Sequence, residues 1–242
     1  MIFPLRRLVL ALVVLLPACD AGRERVNVLS ATGDADVVVM DFAAPFPLNP
    51  LPPGWYHRTF WTRAPMQMAF ATKDGVPALR CETRSSASML FRHVDIDLAD
   101  YPRLAWRWLV EVPIDSPLDE RTRAGDDHPA RLFIAFKTAM GEDRRMEIVW
   151  GNRLKAGDYK YIDKFPHYVA NGGAANVGRW HAEDVDLQAI YRHIWRDGAP
   201  ARVIDIALFC DSDDTHSASI AYFAEVVMKR ASPAVAPAPP SD

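Results

Sequence analysis

Arg103-Leu104-Ala105-Trp106-Arg107-Trp108-Leu109-Val110-Glu111-Val112 is the stretch that sets the fold class. Leu104, Trp106, Trp108, Val110 and Val112 fall on one side of an extended chain, and Arg103, Ala105, Arg107, Leu109 and Glu111 on the other. Such alternation marks a half-buried strand. Trp106 and Trp108 share a side with aliphatic residues, so they read as core before they read as a sugar-stacking platform. Trp55, Trp61, Trp150, Trp180 and Trp195 are the better stacking candidates.

Outward from this strand the period of two continues. Val37–Phe42, Met66–Ala71, Ala78–Thr83, Met89–Ile96, Arg131–Phe136 and Met146–Trp150 read as strands. Val203–Cys210 and Ser219–Met228 are apolar enough to be central ones. Turn signals such as Lys73-Asp74-Gly75 and Gly141-Glu142-Asp143 separate them. One helix is expected, capped by Asp186, with Leu187, Ile190, Tyr191 and Ile194 on one face and Gly198 beyond its end. Many short strands with a single helix predict an all-β protein, a jelly-roll-like antiparallel β-sandwich with one short helix.

The two ends read differently. Met1–Arg7 carries Arg6 and Arg7, and Leu8–Leu16 is apolar without a break. Nine residues are too few to span a bilayer, which takes about 20, so the segment reads as a secretory signal. Leu16-Pro17-Ala18-Cys19 resembles a bacterial lipobox, which implies cleavage before Cys19 and a lipid anchor on it. The expected organisation is a signal peptide over 1–18, a tether over 19–36, a β-sandwich over 37–230 and a disordered Ala- and Pro-rich tail over 231–242. The resulting address is the cell envelope, on the periplasmic side, lipid-anchored to the membrane.

A net charge of -3 without any basic stripe argues against a nucleic-acid partner. Cys81 and Cys210 both fall on apolar strand faces; the compartment would permit a disulfide, and buried free thiols are the plainer reading. The sequence contains no G-x-S-x-G elbow, H-E-x-x-H, phosphate-binding glycine loop or dinucleotide fingerprint.

Two acidic segments remain. Asp211-Ser212-Asp213-Asp214-Thr215 follows an apolar strand and resembles the nucleophile motif of the haloacid dehalogenase phosphatases. Only 27 residues follow Thr215, however, leaving no room for that family's later helix and its Lys and Asp motifs. Gly125-Asp126-Asp127-His128-Pro129-Ala130-Arg131 precedes a strand, which places its side chains at a sheet end. The plainer reading of Asp211 to Thr215 is an acidic loop at the end of a strand, capped by Thr215, and that of Gly125 to Arg131 is a turn whose Asp side chains bond local backbone, with Arg131 as a surface or structural ion partner. Clustered carboxylates also suit calcium, although Asp211 to Thr215 does not follow the EF-hand pattern.

Taken in linear order, Leu51-Pro52-Pro53-Gly54-Trp55, Leu79-Arg80, Ser85-Ser86-Ala87-Ser88, Pro102 to Trp108, Gly125-Asp126-Asp127, Pro129-Ala130-Arg131 and Asp211 to Thr215 resemble the domain-of-unknown-function 3047 family of bacterial envelope proteins. The resemblance supplies no catalytic residues. It implies that both Asp-rich blocks belong to one pattern with Arg107 and Arg131. More loosely, Asp41-Phe42 and Glu225 resemble positions that hold a structural calcium in jelly-roll carbohydrate-binding modules. The expected function is a non-catalytic module for a glycan-like polar ligand. Arg107, Asp126, Asp127, His128, Arg131, Asp211 and Asp213 would converge at a sheet edge to hold it. A hydrolase or lyase built on the clustered Asp residues, and a structural partner in an envelope complex, are the other two classes left open.

Overall fold

The computed structural model describes residues 27–31 and 33–231. The lipobox, Cys19 and most of the Ala- and Pro-rich tail lie outside the described residues. In chain order the strands are β1 (Leu29–Ser30), β2 (Val37–Met40), β3 (Trp55–Thr59), β4 (Gln67–Lys73), β5 (Val76–Arg84), β6 (Ala87–Asp97), β7 (Arg103–Val112), β8 (Arg131–Thr138), β9 (Asp143–Gly151), β10 (Tyr159–Ile162), β11 (Phe165–Gly172), β12 (His181–Asp186), β13 (Ala201–Asp211) and β14 (Ala218–Lys229), with helix α1 (Leu187–Ile194) after β12.

Two sheets pack face to face. The larger runs β1-β6-β13-β8-β9-β11-β10, and β3 also pairs with β6. The smaller runs β12-β7-β14-β5-β4, and β2 also pairs with β14. All pairs between named strands are antiparallel except β1 with β6 and β9 with β11. The expected jelly-roll-like sandwich with one short helix is therefore the observed fold.

β7 spans the ten residues read as a strand, and Leu104, Trp106, Trp108 and Val110 face the other sheet. Trp106 meets Trp108 edge-on at 5.2 Å, and Trp108 meets Trp150 of the opposite sheet at 5.8 Å. Trp150 is thus core as well, whereas Trp61 is fully exposed. Cys81 and Cys210 are buried free thiols on opposite sheets. Burial, with Cys81 beside it, pushes the Cys210 thiol well above its ordinary range.

The helix has its expected bounds and cap: the Asp186 carboxylate accepts from the Ala189 N–H at 2.7 Å. Leu187, Ile190 and Tyr191 are its buried face. Five strands went unread in the sequence. β1 lies within the segment expected to be a tether and pairs with Val94 and Asp95. β3, β10, β11 and β12 are short or polar: β12 is His181-Ala182-Glu183-Asp184-Val185-Asp186, an edge strand with only half-buried positions to give it away.

Candidate functional site

The larger sheet has two different faces. Leu132, Ile134 and Phe136 of β8 turn inward to the core, while Phe133 and Ala135 join Met89, Phe91, Ala207 and Phe209 in a second apolar cluster on the outer face. Arg131 has the outward parity of Phe133. Glu147 sits between inward Met146 and Ile148, directly opposite Phe133. His167 lies opposite Glu147, and Lys160 opposite His167. Glu147, His167 and Lys160 thus face one another across β9, β11 and β10, while Arg131, opposite Phe209 and Val149, reaches Asp211 and Glu147 diagonally, so the five form a slanted row across β13-β8-β9-β11-β10. All five are buried.

Arg131 organises the row. Its Nε donates to Asp211 Oδ1 at 3.0 Å, its Nη1 to Glu147 Oε2 at 2.7 Å, and its Nη2 to Asp211 Oδ2 and the Asp126 carbonyl. Burial pushes the Asp211 carboxyl up, but a two-pronged guanidinium and the His128 N–H at 2.9 Å both need an acceptor there. We therefore treat Asp211 as ionised. Burial also acts against the Glu147 carboxylate, yet the Arg131 charge and His167, whose Nε2 lies 3.3 Å away, hold it down at about 2.

That depression has a consequence in acid. A carboxyl held below its unfolded value of about 4.3 stabilises the fold above that pH and loses its contribution as the pH falls toward 2. The contribution is on the order of 3 kcal/mol. Thermal melts should therefore show stability falling between about pH 4 and 2, and Glu147→Gln should flatten that part of the profile. An unchanged profile in the variant would assign the acid sensitivity elsewhere.

A long loop, residues 113–130, folds over one end of the row. A Cβ on Gly125 would lie 2.3 Å from the Asp119 carbonyl oxygen, so this close turn requires glycine. Glu120, buried in the loop, accepts from the N–H groups of Asn152, Arg153 and Leu154 at 2.8, 2.7 and 2.5 Å. His128 is wholly buried. Burial, with Lys160 and Arg131 nearby, drives its pKa far down, so the ring is neutral. Its Nδ1 faces the Trp150 carbonyl at 2.7 Å and must carry the proton, which leaves Nε2 to accept from Lys160 Nζ at 2.7 Å. Lys160 also donates to Asp126 Oδ1 at 2.5 Å and to the Glu120 carbonyl at 2.6 Å. Burial lowers its pKa against the pull of Asp126, and its three acceptors match the three hydrogens of an ammonium.

Beside this row opens a cleft of about 470 Å³. Phe60, Phe165 and Phe209 form its apolar side; Asp126, Glu147, Asp213 and Asp214 supply carboxylates. Arg63 donates to Asp213 and lies 3.8 Å from Asp214. Burial and the neighbouring carboxylates of Asp213 and Asp127 raise the Asp214 pKa.

The fit to a cation is poor. One carboxylate oxygen each from Asp127, Asp211 and Asp213 lies within 4.8 Å of the others, the one such group of three or more among the described residues. Calcium takes six to eight oxygens. Here Asp127 already accepts from the Thr215 N–H at 2.6 Å and its hydroxyl at 2.5 Å, Asp211 from Arg131, and Asp213 from Arg63. The protein's own donors thus fill the role a metal would have. Asp41 accepts from the Ala43 N–H, and Glu225 is exposed on β14, so the looser calcium pattern finds no ligand set either.

A family model described as a protein of unknown function, DUF3047, matches residues 53–227. The chain belongs to this family. No curated protein matches it. Among solved structures, the family 11 carbohydrate-binding module of the cellulase Lic26A-Cel5E of Clostridium thermocellum is 7% identical, with a TM-score of 0.40 over 83% of this chain and 97% of that one. The family 30 carbohydrate-binding module of Cel9D-Cel44B from the same organism is 10% identical, with a TM-score of 0.38 over 81% and 93%. The xyloglucanase domain of NopAA from Sinorhizobium fredii, solved with cellobiose, is 8% identical, with a TM-score of 0.36 over 71% and 97%. All three are distant likenesses.

In this DUF3047 chain the two Asp-rich blocks do meet, as Asp126, Asp127, His128, Arg131, Asp211 and Asp213 come together. They meet where the loop before β8 and the loop after β13 converge at the strand ends of the larger sheet, with Arg131 and Asp211 on its outer face. Arg107 does not join them. It belongs to β7 of the other sheet, opposite Ala182, with its guanidinium 5.4 Å over the Trp180 ring. Asp127 and His128 are wholly buried and support the cleft from behind. Glu120, Glu147, Lys160, His167 and Arg63 escaped the sequence reading. Glu147 left a signal, a lone charge at outward parity in Met146-Glu147-Ile148-Val149-Trp150. Lys160 and His167 lie on strands that no pattern revealed.

Proposed function

We propose that this domain is a non-catalytic module that binds a glycan-like polar ligand in the cleft on the outer face of the larger sheet. One observation carries the reading: an aromatic side, Phe60, Phe165 and Phe209, shares a cleft with carboxylates fixed by buried Arg131 and Lys160. Rings cover the apolar face of a sugar, and carboxylates accept its hydroxyl hydrogens. Second-layer groups already hold Asp126 and Glu147 in place, so little ordering remains for the ligand to impose. Asp126 Oδ1 accepts a hydrogen bond from Lys160, and Glu147 Oε2 accepts one from Arg131.

The test is a screen of envelope glycans against the full chain in detergent, followed by calorimetry on the hits. Asp126→Asn and Phe165→Ala should each weaken binding by about tenfold, roughly 1.4 kcal/mol, and keep the cooperative melt. A wild-type chain that binds no glycan in the screen ends the reading.

The proposal includes an address: a lipid anchor on Cys19 that holds the domain on the periplasmic side of a bacterial membrane. Its support is the basic start, short apolar run and lipobox-like Leu16-Pro17-Ala18-Cys19. Cys19→Ala should abolish labelling by a palmitate analogue and release the chain from the membrane fraction. Persistent labelling would show that the lipid sits on another residue.

A further inference from the structure

Six carboxyl groups line the cleft, those of Asp126, Glu147, Asp163, Asp211, Asp213 and Asp214, against three guanidiniums and the Lys160 ammonium that pairs with Asp126 from behind, which leaves a surplus of two carboxyls. Each guanidinium is already engaged: Arg131 with Asp211 and Glu147, Arg63 with Asp213, and Arg123 with Asp163. An incoming anion would find no uncommitted guanidinium among these and would meet the surplus negative charge. An incoming cation would meet carboxylates beside three rings, of which Phe209 and Phe60 already carry Arg131 and Arg58 over one face and Phe165 carries none among the described residues. That pairing is the chemistry by which proteins recognise ammonium groups, since ring quadrupole and carboxylate both attract the positive charge.

A second observation concerns Trp61, which does not itself line the cleft but sits in a loop whose other residues do. Trp61 is 102% exposed, the most exposed of the large apolar side chains among the described residues. It lies between Phe60 and Thr62, both of which line the cleft, in the loop that also carries Arg63. Its large flat face is available to a ligand, and tryptophan is the best of the side chains for covering a cation.

Resting on the glycan reading above, we infer that the cleft selects ligands bearing protonated amines, an amino sugar without its acetyl group, and that Trp61 stacks on the bound ligand at the mouth. The acid surplus sets the sign of the charge the site accepts. Trp61 adds contact area and cation–π attraction, and it becomes buried only in the complex.

Calorimetry on the full chain in detergent tests this with four probes: a glucosamine oligomer, an N-acetylglucosamine oligomer of equal length, an oligogalacturonate, and spermidine as an amine without a sugar. The glucosamine oligomer should bind about tenfold more tightly than its acetylated counterpart, and the galacturonate should not bind. Trp61→Ala should lose about tenfold in affinity for the amine oligomer with an unchanged melt. Asp214→Asn should narrow the gap between amine and acetylated forms. Equal binding of the acetylated or acidic oligomer would overturn the charge preference and leave the glycan reading standing. Spermidine binding without any oligosaccharide binding would uphold the preference and end the glycan reading. Silence from all four probes would overturn the inference, and wild-type affinity in Trp61→Ala would remove that residue from it.

Discussion

Arg131→Ala is expected to lower the unfolding free energy by about 3–5 kcal/mol. The side chain is 2% exposed and binds Asp211, Glu147 and the Asp126 carbonyl. Its removal leaves two buried carboxylates without their counter-ion, and the price of stranding a charge exceeds the net value of the pair itself. A domain of this kind has only about 5–15 kcal/mol in total, so the variant should be close to unfolding at ambient temperature. Arg131→Lys keeps the charge but loses the planar fork, and should recover only part of the loss. Neutralising the partners as well, with Arg131→Met, Asp211→Asn and Glu147→Gln together, should recover more than Lys does, because no unpaired charge remains. Urea unfolding of the four proteins decides the matter. A loss below about 1 kcal/mol in Arg131→Ala would return Arg131 to the status of a surface ion partner.

Glu120→Ala should have the next largest effect, about 3 kcal/mol or more. One carboxylate satisfies three consecutive backbone N–H groups at Asn152, Arg153 and Leu154. Each buried donor left without a partner costs about 1–3 kcal/mol. The loss should be localised. Hydrogen exchange at residues 152–154 should accelerate well before the inner strands respond, because the turn can open without breaking the sandwich. Glu120→Gln keeps an acceptor oxygen and should fall between Ala and wild type. Retained protection at all three amides in Glu120→Ala would show that another group satisfies them.

These two residues illustrate where sequence reading stops. Arg131 could be singled out because it follows an acidic block and opens a strand. Its role could not, because its partners lie 16 and 80 positions away in the chain. Glu120 sits in a loop without period or motif, and its three acceptor bonds exist only because β9 ends beside that loop. Arg107 shows the opposite error: it shares a charge and a conspicuous motif with the site residues, yet strand order carries it to the other sheet.

The sequence by itself determined the alternation that makes β7 a strand, the helix and its Asp186 cap, and most of the apolar strands. These rest on local backbone periodicity, which a strand or helix imposes on its own residues. It also determined that two acidic segments follow or precede strands and so could meet. Tertiary structure alone decided that they do meet, that Glu147, His167 and Lys160 complete the row, and that Arg107 stands apart. The reason is register: which residue lies opposite which is set by the pairing of strands distant in the chain. A shift of one residue would turn Arg131 and Glu147 into the apolar core and remove the cleft.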